Sequence, residues 1–448
     1  MSNSKLKVLL VIEQCNPDWA SVPLEGYNYY KEISKLVDAT LVTHERNKQA
    51  IENKKKHQNV VYIRESKFSK IYHEFVAHVA NMGRFNWPLY NALNYLVYAE
   101  FNHQVYEKFK NQVLRGDYDL VHAITPMMPR YAVKIIKACK KTPFLIGPVN
   151  GGVPFPAGFQ DIAKQEFAYL NFLRAVGRFL IPGYRETYQK ADKILAGSTF
   201  TLNLLKNLFS FPDDKISLFY ENGISSSFLD AEPTREDNNK VNLLFVGRLV
   251  PYKGADMLIE AIAKLADSIK EKILLTIVGD GSEKGRLEAK VQELNLGEIV
   301  KFTGWVNQED TLLYYRKSDI FCFPSIREFG GAVVLEAMAC GLPCIVANNG
   351  GIGEYVTEET GFKIEPISRD YLTQELTQKI HILVENEELR QKMSAKSIER
   401  SREFTWEEKA KKIVEIYHLA INARNPKERS PYLVPYMRSP ASPSPGII

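Results

Sequence analysis

No apolar run in this 448-residue chain approaches the roughly 20 residues needed to cross a bilayer, so a membrane-spanning helix is not predicted. The opening "KLKVLLVIEQC" holds only six apolar residues before Glu13, which reads as a first β-strand rather than a secretory signal. Cysteine is scarce as well. The five (Cys15, Cys139, Cys322, Cys340 and Cys344) are an odd number, scattered among apolar residues without a CxxC pair. That usage predicts reduced core thiols in a cytosolic protein. No dense Lys/Arg stripe with interleaved aromatics occurs, so nucleic acid is not expected as a partner. "VLLVIEQCNPDW" has no Gly-x-Gly-x-x-Gly after the first strand, which argues against a nicotinamide dehydrogenase.

What is present is a soluble composition, 45% hydrophobic and 25% charged, with aromatics at 11%. The length suggests more than one core. Net charge is +5 but unevenly spread. Residues 1–224 hold 29 Lys and Arg against 20 Asp and Glu, a net +9, and the remainder is −4. A basic first half suggests an anionic partner there, such as a membrane surface or an acidic substrate.

Short apolar runs predict strands at "KVLLVI", "ATLVTH", "DLVHAI", "PFLIGPV" and "KILAGS", then at "NLLFVGR", "ILLTIVGD", "IVKFTGW", "DIFCFPS" and "PCIVANN". Helical patterns such as "GADMLIEAIAKLADSIK" (254–270) and "SEKGRLEAKVQELN" separate them, so the fold class is α/β with parallel sheets. The alternation occurs twice, broken by the polar, acidic stretch 225–242, read as an inter-domain linker. Two doubly wound domains are expected, residues 1–224 and 225–404, facing each other across a cleft. Residues 405–423 read as an amphipathic helix, and the Pro- and Ser-rich 424–448 as a tail without fixed structure. Residues 68–110 are crowded with Phe, Tyr and Trp; they read either as helices packing aromatics into the core or as a basic-aromatic docking surface.

One segment, "REFGGAVVLEAMACGLPCIVANNGG" (327–351), anchors two carboxylates, Glu328 and Glu336, in what otherwise reads as core. Gly330 and Gly331 allow close backbone approach, and the helix that follows presents free N–H groups and a positive dipole end, suited to a phosphate or pyrophosphate. "FVGRLVPYKG" places Arg248 and Lys253 just past a strand, at a sheet edge where open α/β sheets bind ligands. A guanidinium and an ammonium there make a reasonable clamp for a diphosphate. "IVGDGSEKGRL" puts Gly279 and Asp280 at the next strand end.

The order "GRLVPYKG", "IVGDG", "VKFTGWV", "PSIREFGGAVVLEAMACGLPCIV" resembles the family-4 retaining glycosyltransferases of the GT-B fold, strongly over about residues 241–365 and more weakly before them. In the first half the resemblance rests on "YDLVHAITPMMP", "ADKILAGS" and "NGI" at Asn222. The resemblance implies two Rossmann-like domains with the C-terminal helix crossing back to the first. It implies that Arg248 and Lys253 bind the donor diphosphate and that Glu328 stands beside the donor sugar. Phe329, Gly330 and Gly331 would give backbone donors to sugar hydroxyls, and Glu336 would bind the nucleotide ribose. The nucleotide sugar is then a substrate, and neither a cofactor nor a metal is expected. "DYD" at Asp117–Asp119 imitates a metal motif but precedes its strand, so it reads as a turn.

The first domain departs from the family. Ile124 stands where many members have a second histidine, so His122 is a catalytic candidate without that companion. Of the glycine-rich loop after the first strand only Gly26 remains, a candidate near the donor phosphates. Asn150, Gly151 and Gly152, past the strand "PFLIGPV", are candidates for the acceptor side. The expected acceptor is a lipid or other amphiphile at a membrane surface, or else a polysaccharide or small soluble sugar. Peripheral attachment to an anionic membrane on its cytoplasmic face fits the first of these. The rivals are a GT-B nucleotide-sugar epimerase or phosphorylase, and a non-catalytic nucleotide-sugar-binding protein.

Overall fold

The computed structural model describes residues 5–54, 59–81, 85–230, 234 and 240–424. The expected tail past Arg424, and most of 231–239 in the expected linker, lie outside them. Among the described residues two all-parallel sheets form. The first runs β3-β2-β1-β4-β5-β6-β7, with β1 (Lys7–Val11), β2 (Asp38–His44), β3 (Val60–Ile63), β4 (Leu120–Ala123), β5 (Phe144–Val149), β6 (Lys193–Ala196) and β7 (Ile216–Leu218). The second runs β10-β9-β8-β11-β12-β13, with β8 (Val241–Val246), β9 (Ile273–Val278), β10 (Val300–Gly304), β11 (Ile320–Phe323), β12 (Cys344–Ala347) and β13 (Gly361–Ile364). The central strands are unbroken apolar runs buried on both faces, because helices cover both sides of a parallel sheet. All five cysteines are buried and free.

Three strands were not expected: β3, β7 and β13. Each has only three or four residues at a sheet edge, too few for an apolar run to stand out, and each exists by pairing with its neighbour's backbone. The single helix expected over 254–270 is two pieces, since Ala266 is extended and caps a separate turn at Asp267–Lys270. The expected linker contains a helical turn, Ser226–Leu229, that buries Phe228 in the second core.

The helices that frame the cleft are α1 (Val22–Leu36), α2 (Lys67–Ala80), α3 (Trp87–Leu93), α4 (Tyr95–Arg115), α5 (Phe172–Leu180), α6 (Ala255–Ala263), α7 (Ala332–Ala339) and α8 (Trp406–Arg424). The chain crosses between domains twice at one place. Ile224 N–H donates to Phe404 O (3.0 Å), and Trp406 N–H donates to Ile224 O (3.1 Å). From there α8 packs Trp406, Ala410, Ile413, Tyr417 and Ala420 into the first domain's core against α1. The expected return of the last helix is therefore observed.

The aromatic stretch 68–110 divides. Helix α4 sends Phe101, Val105 and Phe109 into the core. Helix α2 leaves Phe68, Ile71 and Phe75 exposed on one stripe.

Candidate functional site

In each sheet the strand order reverses beside the first strand of the domain, between β1 and β4 and between β8 and β11. Open α/β sheets bind ligands at such switch points, beyond the carboxyl ends of the strands. The second domain's crevice is built by two loops. After β8, Arg248 stands exposed and its Nη2 donates to the Tyr252 hydroxyl (2.8 Å). A tight turn, Pro251–Lys253, then delivers Lys253 just before α6. After β11, Ser325 to Gly331 lead into α7, which Gly331 caps with φ 74°. Lys253 Nζ and Glu328 Oε2 form a hydrogen-bonded ion pair, to which Ser325 Oγ adds a bond of 3.3 Å. The lysine is only 8% exposed and its ammonium lies 4.9 Å from the Phe323 ring centroid. Thus a cation and an anion from separate loops meet at the mouth of a helix, within reach of any ligand seated at the switch point.

The first domain presses on this loop. Asn150 Nδ2 donates to Phe329 O (2.9 Å), and its Oδ1 accepts from Ser198 Oγ (2.7 Å) and Thr201 Oγ1 (2.9 Å). Asn222, with its amide turned to satisfy both neighbours, donates to Glu25 Oε1 (2.7 Å) and accepts from Gly331 N–H (3.1 Å). Gly330 must be glycine here, because a Cβ would stand 2.0 Å from Asn222 Nδ2 and 2.4 Å from Glu221 Oε1. Behind these residues lies a polar group of half-buried Glu25 with buried Glu221 and Lys409, and Tyr29 donates to Glu221 O (2.6 Å). Burial pushes the Glu25 carboxyl up to about 7, against the pull of Lys409 and with added repulsion from Glu328. Burial likewise raises Glu221, and lowers Lys409 to about 7. Sequence reasoning missed Glu25, Glu221 and Lys409. They belong to ordinary-looking helix and loop text, and only the hinge brings them together.

The remaining expected residues are distributed as follows. His122 does not face the cleft. It is fully buried on β4, with Nδ1 against the Tyr417 hydroxyl (2.7 Å) and Nε2 against Gly147 O (2.7 Å). Burial lowers its pKa to about 4. Both ring nitrogens are committed to tying α8 to the sheet, so the catalytic expectation is corrected to a structural one. Gly26 lies inside α1, where a Cβ would meet Gln14 O at 2.3 Å; it serves close packing of α1 on the loop after β1.

Glu336, on α7, is 5% exposed and its Oε2 accepts from the Tyr315 hydroxyl (2.9 Å). Gly279 packs on Gly247 at the crevice floor, and Asp280 is exposed beside it. Gly151 and Gly152 continue the loop from Asn150 at the junction of the domains. Asp117 pairs with Arg115 and Asp119 accepts from Lys7 N–H (2.8 Å), which is turn chemistry. Among the described residues there is no grouping of three His, Cys, Asp or Glu side chains suited to a metal ion.

Two Rossmann-like domains, their switch-point crevices facing each other and a last helix returning to the first, define the GT-B architecture. Residues 228–400 match the family model Glycosyl transferases group 1. An uncharacterised glycosyltransferase of Methanocaldococcus jannaschii, MJ1607, is 31% identical over 201 residues, 42% of this chain and 50% of that protein. A D-inositol 3-phosphate glycosyltransferase of Corynebacterium glutamicum (strain R) is 31% identical over 187 residues, 40% of this chain and 44% of that protein. The chain thus spans about half the length of the curated relatives it matches. The crystal structure of Anabaena Alr3699/HepE in complex with UDP covers 92% of this chain and 99% of its own, with a TM-score of 0.59 at 17% identity, a likeness of fold.

Proposed function

We propose that the protein transfers a sugar from a nucleotide-sugar donor to an acceptor hydroxyl with retention of configuration. The observation that carries this is the Lys253–Glu328 pair at the second switch point, opposite the first domain and beside the start of α7. In this reading the donor diphosphate enters between the pair and engages Lys253, Arg248 and the helix N-terminus. Glu328 turns to the sugar. The bond from the anomeric carbon to the diphosphate oxygen breaks as the acceptor oxygen bonds on the same face. The acceptor proton passes to the departing phosphate. Catalysis comes from positioning and from charge stabilisation of the leaving group. The double crossing at Ile224 and Trp406 is the natural hinge for closure.

The acceptor in this reading is an amphiphile at a membrane surface. No helix among the described residues is long and apolar enough to cross a membrane. Exposed Phe68, Ile71 and Phe75 on α2 and Trp87 on α3 favour peripheral contact, as does the +9 charge of residues 1–224.

The test is a thermal-shift screen of nucleotide sugars, followed by product analysis with the one that binds. Nucleoside diphosphate released only with an acceptor present supports transfer. Conversion of the nucleotide sugar without any acceptor supports an epimerase instead.

A further inference from the structure

Helix α5 is amphipathic the wrong way round. Its apolar face points out: Phe172, Val176, Phe179 and Leu180 are 57%, 42%, 77% and 73% exposed, following Tyr169 at 63%. Its basic face, Arg174 and Arg178 one turn apart, points in. A helix of a soluble domain normally buries its apolar stripe, so both faces need a partner.

The inward face joins a cluster drawn from three places. Arg174 Nη1 sits where a Cβ on Gly152 would touch it, at 3.3 Å. Arg327, two residues past β11's loop start and next to Glu328, donates from Nε to Val153 O (2.9 Å). Arg130, at the end of the loop after β4, reaches Met128 Sδ with Nη2 (2.6 Å), and Met128 in turn packs on Gly151. The loop Gly151–Val153 is thus met by the guanidinium groups of Arg174 and Arg327, with Arg130 one side chain away through Met128 and Arg178 one turn along α5 from Arg174.

Among the described residues none of these arginines forms a salt bridge, and Arg178 Nε is buried without a hydrogen-bond partner. The carboxylates whose fields reach the cluster are Glu13, towards Arg130, and Glu166 and Glu328, towards Arg327. Tyr184 and Tyr131 are its other titratable neighbours. Burial, and then repulsion from Arg130, Arg327 and Arg178, push Arg174 down to about 10. Four half-buried like charges are unfavourable unless something compensates them. One carboxylate fills one guanidinium fork, whereas a phosphate offers three oxygens to several.

We propose that Arg130, Arg174, Arg178 and Arg327 seat a phosphate group carried by the acceptor, and that α5 takes this acceptor from a lipid surface with its outward face lying in the headgroup region. The transferase reading supplies only the word acceptor; the anion site stands on its own geometry. It spans the domain junction, with Arg327 supplied by the loop that carries Glu328, and shares no residue with the expected diphosphate clamp.

The experiment measures binding of the full chain to two probes. One is phosphatidylcholine vesicles doped with phosphatidic acid, compared with vesicles holding the same fraction of phosphatidylserine. The other is soluble glycerol phosphate, followed by calorimetry. The parent is expected to prefer the phosphatidic acid vesicles. The double variant Arg174→Gln, Arg178→Gln should bind both probes roughly 10- to 100-fold more weakly, the scale of lost charge-assisted hydrogen bonds. The variant Phe179→Ser, Leu180→Ser should lose the vesicles and keep glycerol phosphate.

Folding is monitored by Tm, which should rise in the arginine double variant as repulsion is relieved. Arg174→Lys, which keeps the charge without the fork, should fall between parent and double variant. Equal binding of both probes by parent and double variant overturns the site. Binding of glycerol phosphate with no preference among vesicles overturns the lipid source. A chain that binds no nucleotide sugar, yet loses phosphate in the double variant, fails the transferase reading and supports the anion site.

Discussion

The two switch-point crevices solve opposite electrostatic problems. In the second domain, charge is matched inside the protein: Lys253 meets Glu328, and Asp256 in the first turn of α6 is shared by Arg286 and Arg369. At the junction with the first domain, guanidinium groups gather that form no salt bridge among the described residues, beside a helix that turns its apolar side to solvent. A self-neutralised crevice can stand folded and exchange an internal ion pair for a ligand. A crevice with an excess of one sign of charge carries an unfavourable term that a bound counter-ion would remove. The difference teaches that the second domain's crevice is readable from its own residues, and the junction with the first domain from what they lack.

The largest expected effect falls on the matched pair. Lys253→Ala should lower kcat about 10²- to 10³-fold once a donor is identified, the range for removing one preorganised charge from a leaving group. Turnover equal to the parent's would leave the pair a purely structural bridge and collapse the contrast between the crevices.

Next comes the anchor of α8. His122→Leu should destabilise the chain by about 2–3 kcal/mol, since it leaves the Tyr417 hydroxyl and Gly147 O buried without partners. Chemical denaturation measures this. A near-neutral result would reopen His122 as a residue kept for chemistry.

A smaller, pH-dependent effect belongs to the polar group at the hinge. The carboxyl of Glu25 is raised from 4.5 to about 7, so the folded chain holds its proton more tightly than the unfolded one. Stability from this group is therefore present below pH 4.5 and is lost as pH rises through 7. Glu25→Gln cannot ionise, and should raise Tm by a few degrees at pH 8 while changing it little at pH 4. A gain that is the same at both pH values would show that Glu25 stays ionised in the folded chain.

The smallest effect is on α5. Replacing Phe179 and Leu180 by Ser should move stability by no more than about 0.5 kcal/mol, because neither side chain is buried. A large loss of Tm would mean that the apolar face already has a partner within the protein.

How legible each side was follows the same divide. Lys253 and Glu328 were legible because strand ends and helix starts place them, and those are local signals. The strands β1, β2, β4, β5, β6 and β8 to β12 were legible for a similar reason, as short runs rich in apolar and β-branched residues. His122 misled because a histidine near a strand end looks alike whether it faces a cleft or, as here, a helix from 295 residues away. Glu336 was expected at the ribose end of the ligand, away from Glu328, and its bond to Tyr315 could not be read from the sequence. The edge strands were invisible because nothing but a neighbour's backbone defines them.

Sequence by itself determined the α/β class, the two-domain repeat and the loops that end β8 and β11. Those properties follow from periodicity and turn chemistry over a dozen residues or fewer, whereas the return of the last helix was implied only by the family resemblance. Tertiary structure alone decided that Arg174 and Arg327 meet at one loop with Arg130 and Arg178 nearby, and that Glu25, Glu221 and Lys409 come together at the hinge. It also decided which face of α5 meets solvent. Charges far apart in the chain have no pattern to reveal them, since repulsion and burial act through space, and that space exists only once both domains have folded and met.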